Sequence, residues 1–179
     1  MIYLYKCKID KDCSYQSQHQ VSLNLLERHF GYLPEIKVTE KGKPYFTKLN
    51  NYFSVSHCKK MVVVAISNTE IGIDVEITRN TNKLVMKKMY HEHETNVIDE
   101  DCDFTKIWTC KESYGKMLGV GVVYDMKAHD FSKVVSTNSF SIDTGYIKLL
   151  TVDDVYICVC SSKDEDIISI DVTLYSEKI

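Results

Sequence analysis

The chain has 179 residues, 44% of them hydrophobic, and a formal charge of −3, which suffices for one well-cored domain or two small halves packed together. A pI of about 6.1 leaves no electrostatic footprint for nucleic acid, and no run approaches the roughly 20 apolar residues of a membrane span. Because the start, Met1-Ile2-Tyr3-Leu4-Tyr5-Lys6-Cys7, lacks the basic segment, long apolar run and cleavage site of a signal peptide, the expectation is a cytoplasmic monomer with neither a nucleic-acid nor a membrane partner.

In chain order, residues 2–9 read as a strand, with Ile2 and Leu4 alternating against Tyr3, Tyr5 and Cys7. A helix is predicted over about 16–30, Val21, Leu25 and Leu26 on its apolar side and Gly31 as its stop signal. Strands follow near 36–39, 52–56, 61–67 and 71–77. Helical segments are expected at about 83–98 and 103–118. The last third reads as a strand meander through about 174, with Asp143-Thr144-Gly145 as a turn. Helices and antiparallel strands in succession favour an α+β fold over a doubly wound sheet.

Seven cysteines, at 7, 13, 58, 102, 110, 158 and 160, contain no C-x-x-C pair, which argues against a zinc site built on them and against a disulfide framework. Cys158 and Cys160 share one face of an apolar strand and read as buried thiols acting as small hydrophobes. His91-Glu92-His93-Glu94 invites a metal reading, but a helical zinc motif needs histidines four apart and position 95 is Thr. A polar helix start or loop is the better reading there.

Two acidic segments carry the chemistry. In Ile71-Gly72-Ile73-Asp74-Val75-Glu76-Ile77 the aliphatics alternate with Gly72, Asp74 and Glu76, so a strand would bury one set and present both carboxylates, roughly 7 Å apart, on the other face. Gly72 would leave room for a ligand to approach. A hard divalent cation takes one or two such carboxylates and completes its shell with phosphate and water. The second segment, Ile107-Trp108-Thr109-Cys110-Lys111-Glu112-Ser113-Tyr114-Gly115-Lys116, places Glu112 and Lys116 on one helix face. Lys111 falls within the stripe of Phe104, Ile107, Trp108 and Leu118; it either snorkels or reaches a phosphate, and is kept as a secondary cofactor-binding candidate.

Upstream stand Gly42-Lys43-Pro44 and Phe53-Ser54-Val55-Ser56-His57. In order and spacing, from about residue 42 to 121, these four segments resemble the 4′-phosphopantetheinyl transferases, specifically the Sfp-like group, whose motifs run G-K-P, F-x-x-S-H, G-I-D-[IV]-E and W-[ST]-x-K-E-[AS]-x-x-K. The resemblance implies two similar α/β halves packed as a pseudo-dimer within a single domain spanning 1–179, with halves of about 1–70 and 71–179 and coenzyme A between them. It further implies transfer of the 4′-phosphopantetheine arm from coenzyme A to a serine of an apo acyl or peptidyl carrier protein, releasing adenosine 3′,5′-bisphosphate. Mg²⁺ would be held by Asp74, Glu76 and Glu112. Glu112 would also take the serine proton, Lys116 would neutralise the pyrophosphate, and Lys43, Ser56 and His57 would bind the 3′-phosphate. The carrier could serve fatty acid biosynthesis or secondary metabolism. Ser17-Gln18-His19-Gln20 stands where the group usually carries an arginine-rich stretch. Two other readings are a non-catalytic coenzyme A or carrier-binding module, against which three convergent acids argue, and a Mg²⁺-dependent pyrophosphate hydrolase, which lacks a water-activating base beyond the metal ligands.

Overall fold

The computed structural model describes residues 1–10, 13–120 and 125–173. Its first half begins with β1 (Ile2–Lys8), followed by helix α1 (Tyr15–Phe30). Ser14 opens α1 by accepting a hydrogen bond from the Ser17 amide, and Gly31 closes it at φ +76°, a left-handed conformation open to glycine without steric cost. A short hairpin, β2 (Ile36–Val38) and β3 (Pro44–Phe46), precedes β4 (Tyr52–His57) and β5 (Met61–Ser67). The sequence reading missed β3, whose three residues follow the Gly42-Lys43 turn.

The second half opens with β6 (Ile71–Ile77) and continues through α2 (Lys83–Met89), α3 (Glu92–Val97) and α4 (Asp101–Leu118). It then forms a meander of β7 (Ser139–Ile142), β8 (Gly145–Val152) and β9 (Val155–Ser161), and ends in β10 (Ile167–Val172). One sheet has the order β10-β1-β5-β4 and the other β6-β9-β8-β7. The change of sheet falls between β5 and β6, near residue 70. β10, however, does not extend the meander as expected; it crosses back to lie parallel to β1, Ile2 opposite Ile167. Residue 174, the expected end of the meander, lies outside the described residues.

Alternation along β5 explains the layering. Val62, Val64 and Ile66 pack with Leu25 and Leu26 of α1, while Met61, Val63 and Ala65 meet Ile71, Ile73, Val75, Val159 and Ile157 of the second sheet. Both faces are therefore apolar, as a strand covered on both sides requires. On the far side of the second sheet, Phe104, Ile107, Cys110, Tyr114 and Met117 of α4 cover Ile147, Leu149, Cys158 and Cys160. The layers run α1, first sheet, second sheet, α4, an α+β arrangement.

The helix expected over 83–98 is broken in two. Tyr90 is buried, stacked on Phe104 at 5.1 Å with its hydroxyl donating to the Phe104 carbonyl at 2.9 Å. Docking that ring takes Tyr90 and His91 into extended backbone, after which a capping box between His91 and Glu94 restarts the helix.

Candidate active site

The site lies at the seam where β4, an edge of the first sheet, meets β6, an edge of the second. Two serines of β4 stitch that seam. Ser54 Oγ accepts from the Ile73 amide at 3.1 Å, and Ser56 Oγ donates to Asp74 Oδ1 at 2.8 Å. From the other side α4 lies directly on β6. A Cβ on Gly72 would stand 2.0 Å from the Ser113 carbonyl oxygen and 2.3 Å from the Met117 amide. Glycine is thus demanded by the approach of the helix backbone, not by a ligand as the sequence reading had it. The same close approach brings Glu112 and Lys116 of α4 over the carboxylate face of β6.

Asp74 is buried, and Lys116 Nζ donates to its Oδ1 at 2.7 Å and to Ser56 Oγ at 2.9 Å. Asp74 Oδ2 has no partner; among the described residues it is the only buried side-chain nitrogen or oxygen in that condition. Since an unsatisfied buried acceptor costs about 1–3 kcal/mol, such an atom calls for an explanation. Burial, and then the Asp74 charge, push the Glu76 carboxyl up to about 7. The same two causes raise Glu112 above the ordinary carboxylate range. The Asp74 charge is felt at both Glu76 and Glu112, and the orphaned Asp74 Oδ2 is a hard oxygen donor of the kind Mg²⁺ takes.

Beside the acids runs a cleft of about 330 Å³ lined by Lys43, Pro44, Phe53, Glu112, Lys116 and Gly119 among others. Lys43 crosses it to donate from Nζ to the Met117 carbonyl at 2.6 Å, and burial lowers its pKa. His57 lines an adjoining hollow that shares Gly42, Pro44, Phe53 and Val55 with the first. Its ring meets Tyr15 edge-on at 5.4 Å. Burial, followed by the Lys116 charge, lowers its pKa below the ordinary histidine value.

Two placements depart from the sequence reading. Lys111 neither snorkels nor reaches the cleft. It is fully buried, pairs with Glu94 at 2.9 Å, and donates to the carbonyls of Met126 and His129. Its position within the apolar stripe aims it into the core, where only an equally buried carboxylate and main-chain oxygens could hold it. Ser56 also departs from its expected phosphate role, because its hydroxyl is engaged by Asp74 and Lys116. Sequence reasoning missed Arg79, whose guanidinium reaches Glu76 Oε1 at 2.9 Å while lying 5.4 Å from the Trp108 ring centroid. Its spacing of three from Glu76, past the end of the strand, was the one available signal.

Comparison with known proteins agrees with this geometry. A family model for the 4′-phosphopantetheinyl transferase superfamily matches residues 70–163, more than half of the chain. The chain is 33% identical over 110 residues to 4′-phosphopantetheinyl transferase gsp of Aneurinibacillus migulanus, covering 58% of this chain and 41% of that protein. It is 29% identical over 136 residues to 4′-phosphopantetheinyl transferase Sfp of Bacillus subtilis (strain 168), covering 69% and 61%. A third relative, 4′-phosphopantetheinyl transferase HetI of a Nostoc species, is 33% identical over 95 residues, covering 46% and 40%. The chain thus spans less than two thirds of the length of each of these relatives. The matched span runs from the turn before β6 through α4 to β9, taking in Asp74, Glu76 and Glu112: the chain belongs to the 4′-phosphopantetheinyl transferase superfamily.

Proposed function

We propose that the protein transfers the 4′-phosphopantetheine arm of coenzyme A to a serine hydroxyl of an apo carrier protein of the acyl or peptidyl type, releasing adenosine 3′,5′-bisphosphate. The observation that carries this reading is the orphaned Asp74 Oδ2 beside Glu76, Glu112 and Lys116 at the edge of a cleft with lysines on its walls. Asp74, Glu76 and Glu112 would hold Mg²⁺, which when bound neutralises charge on the pyrophosphate and on the leaving phosphate.

The chain's own residues supply the rest. Ser56 and Asp74 fix the Lys116 ammonium at the cleft wall, where it lies ready to stabilise charge that grows in the transition state. Lys43 faces the same cleft and His57 the adjoining hollow, so the coenzyme's phosphates have cationic or donor groups along both. Glu112 receives the serine proton as the serine oxygen bonds to the phosphorus bearing the pantetheine arm and the bond to the adenosine bisphosphate breaks. Burial raises the Glu112 carboxyl; a bound cation would offset that rise, so the proton would pass to Glu112 directly or through water. The two sheets, each with its covering helix, would form the halves of a pseudo-dimer that divides near residue 70, with β10 of the second half completing the sheet of the first and the coenzyme along the β4–β6 seam.

The test is intact-mass analysis of an apo carrier incubated with the protein, coenzyme A and Mg²⁺. Addition of the arm is the expected result. Binding without addition would favour a coenzyme-binding module, and coenzyme breakdown without carrier modification would favour a pyrophosphate hydrolase.

A further inference from the structure

On the far side of the Lys111–Glu94 pair, one ring nitrogen from each of His91 and His93 and a carboxylate oxygen of Asp130 lie within 4.8 Å of one another. We propose that these three side chains form a second metal site, specific for a first-row transition ion of the Zn²⁺ type and separate from the acidic cluster on β6.

The donor chemistry selects the ion. Two imidazoles and one carboxylate suit Zn²⁺, Co²⁺ or Ni²⁺, whereas Mg²⁺ prefers an all-oxygen shell. Spacing agrees as well. Ligand atoms about 2.1 Å from a tetrahedral ion stand about 3.4 Å apart, and His93 Nδ1 is 3.1 Å from Asp130 Oδ2. The His91 and His93 ring centroids are 4.8 Å apart. His93 is 70% exposed, free to close the remaining gap and leaving room for water as the fourth ligand.

What distinguishes the cluster from a chance meeting of surface side chains is its scaffold. Glu94, wholly buried, accepts from the His91 amide at 2.7 Å with one oxygen and from the Phe131 amide at 2.7 Å with the other. A single carboxylate therefore fixes the backbone beside both His91 and Asp130, although 39 positions separate those two in sequence. Lys111 in turn holds Glu94. Asp130 is oriented too: its Oδ1 accepts from the Ser132 amide at 2.9 Å, which leaves Oδ2 turned toward His93. Two contacts are exchanged on binding: the ion takes the place of the hydrogen bond between His93 Nδ1 and Asp130 Oδ2, and it displaces a backbone cap. His91 Nδ1 accepts from the His93 amide at 3.2 Å, and whichever ring nitrogen takes the metal, Nδ1 ceases to be that acceptor. The ion would replace this cap and clip α3 to the segment entering the helical turn at Ser132–Val135.

The experiment titrates Zn²⁺ and, separately, Co²⁺ into the full chain with Mg²⁺ in excess and a phosphine reductant. One ion per chain is expected, with a Co²⁺ spectrum free of thiolate charge-transfer absorption and a rise in melting temperature on adding Zn²⁺. His93→Ala and Asp130→Asn should each weaken binding by at least the roughly 10-fold that loss of even an outer-shell partner costs, while Asp74→Asn leaves it unchanged. No binding by the wild type would overturn the proposal. So would equal affinity in both variants, or a thiolate spectrum, which would place the ion on cysteines.

Discussion

Glu76→Gln in the metal-free protein offers the sharpest test of how the acidic cluster is built. The wild-type carboxyl is pushed from 4.5 to about 7 by burial first and the Asp74 charge second, against the opposing charges of Arg79 and Lys116. In the unfolded chain it ionises near 4.5. Between these values the folded state holds a proton that the unfolded state has released, so stability falls as pH rises through that window. At about 1.4 kcal/mol per pH unit, the loss amounts to roughly 3 kcal/mol and is complete just above pH 7. Glutamine keeps the shape without the titration. The variant should therefore have a flatter profile and, in chelator at pH 8, should exceed the wild type by up to about 3 kcal/mol, less whatever the Arg79 pair contributes. Urea denaturation of both proteins at pH 5 and pH 8 measures the double difference. Adding Mg²⁺ at pH 8 should then raise the wild type more than the variant, which keeps only Asp74 and Glu112. A double difference below about 1 kcal/mol, or a wild type that gains on the variant with rising pH, would refute the reasoning.

Further outcomes follow from the packing and from the cleft. Lys111→Met leaves the Glu94 carboxylate buried without its partner and should cost about 3–5 kcal/mol in urea denaturation, with much of the loss recovered in the Lys111→Met, Glu94→Gln double variant. Gly72→Ala forces α4 away from β6 and should lower stability by roughly 1–3 kcal/mol; transfer should fall with it, because Glu112 and Lys116 move with the helix. Coenzyme A should be preferred over its 3′-dephospho form, with charge-assisted hydrogen bonds worth roughly 1.5–3 kcal/mol each before desolvation. That preference, read as a ratio of kcat/KM values, should strengthen as pH falls through the range in which His57 gains its proton, and collapse in the His57→Ala, Lys43→Ala variant.

The acids were legible in the sequence because their signal is local. A strand alternates with period two and a helix face repeats every three to four residues, so Ile71–Ile77 and Ile107–Lys116 announced which side chains would share a face. Most elements were legible for the same reason. Lys111 shows where local information ends: its place in the apolar stripe was visible, but Glu94, the buried partner that decides its role, arrives from another helix. Gly72 was noticed without its cause, since only the packed structure brings the Ser113 carbonyl and Met117 amide against it. His91 and His93 lacked helical zinc spacing, yet the missing donor, Asp130, is supplied by a segment that Glu94 ties to them. The sequence by itself determined which residues carry charge and which faces they occupy. Tertiary packing decided which charges lose their water and meet, because burial and contact across layers belong to the whole fold and to no single segment.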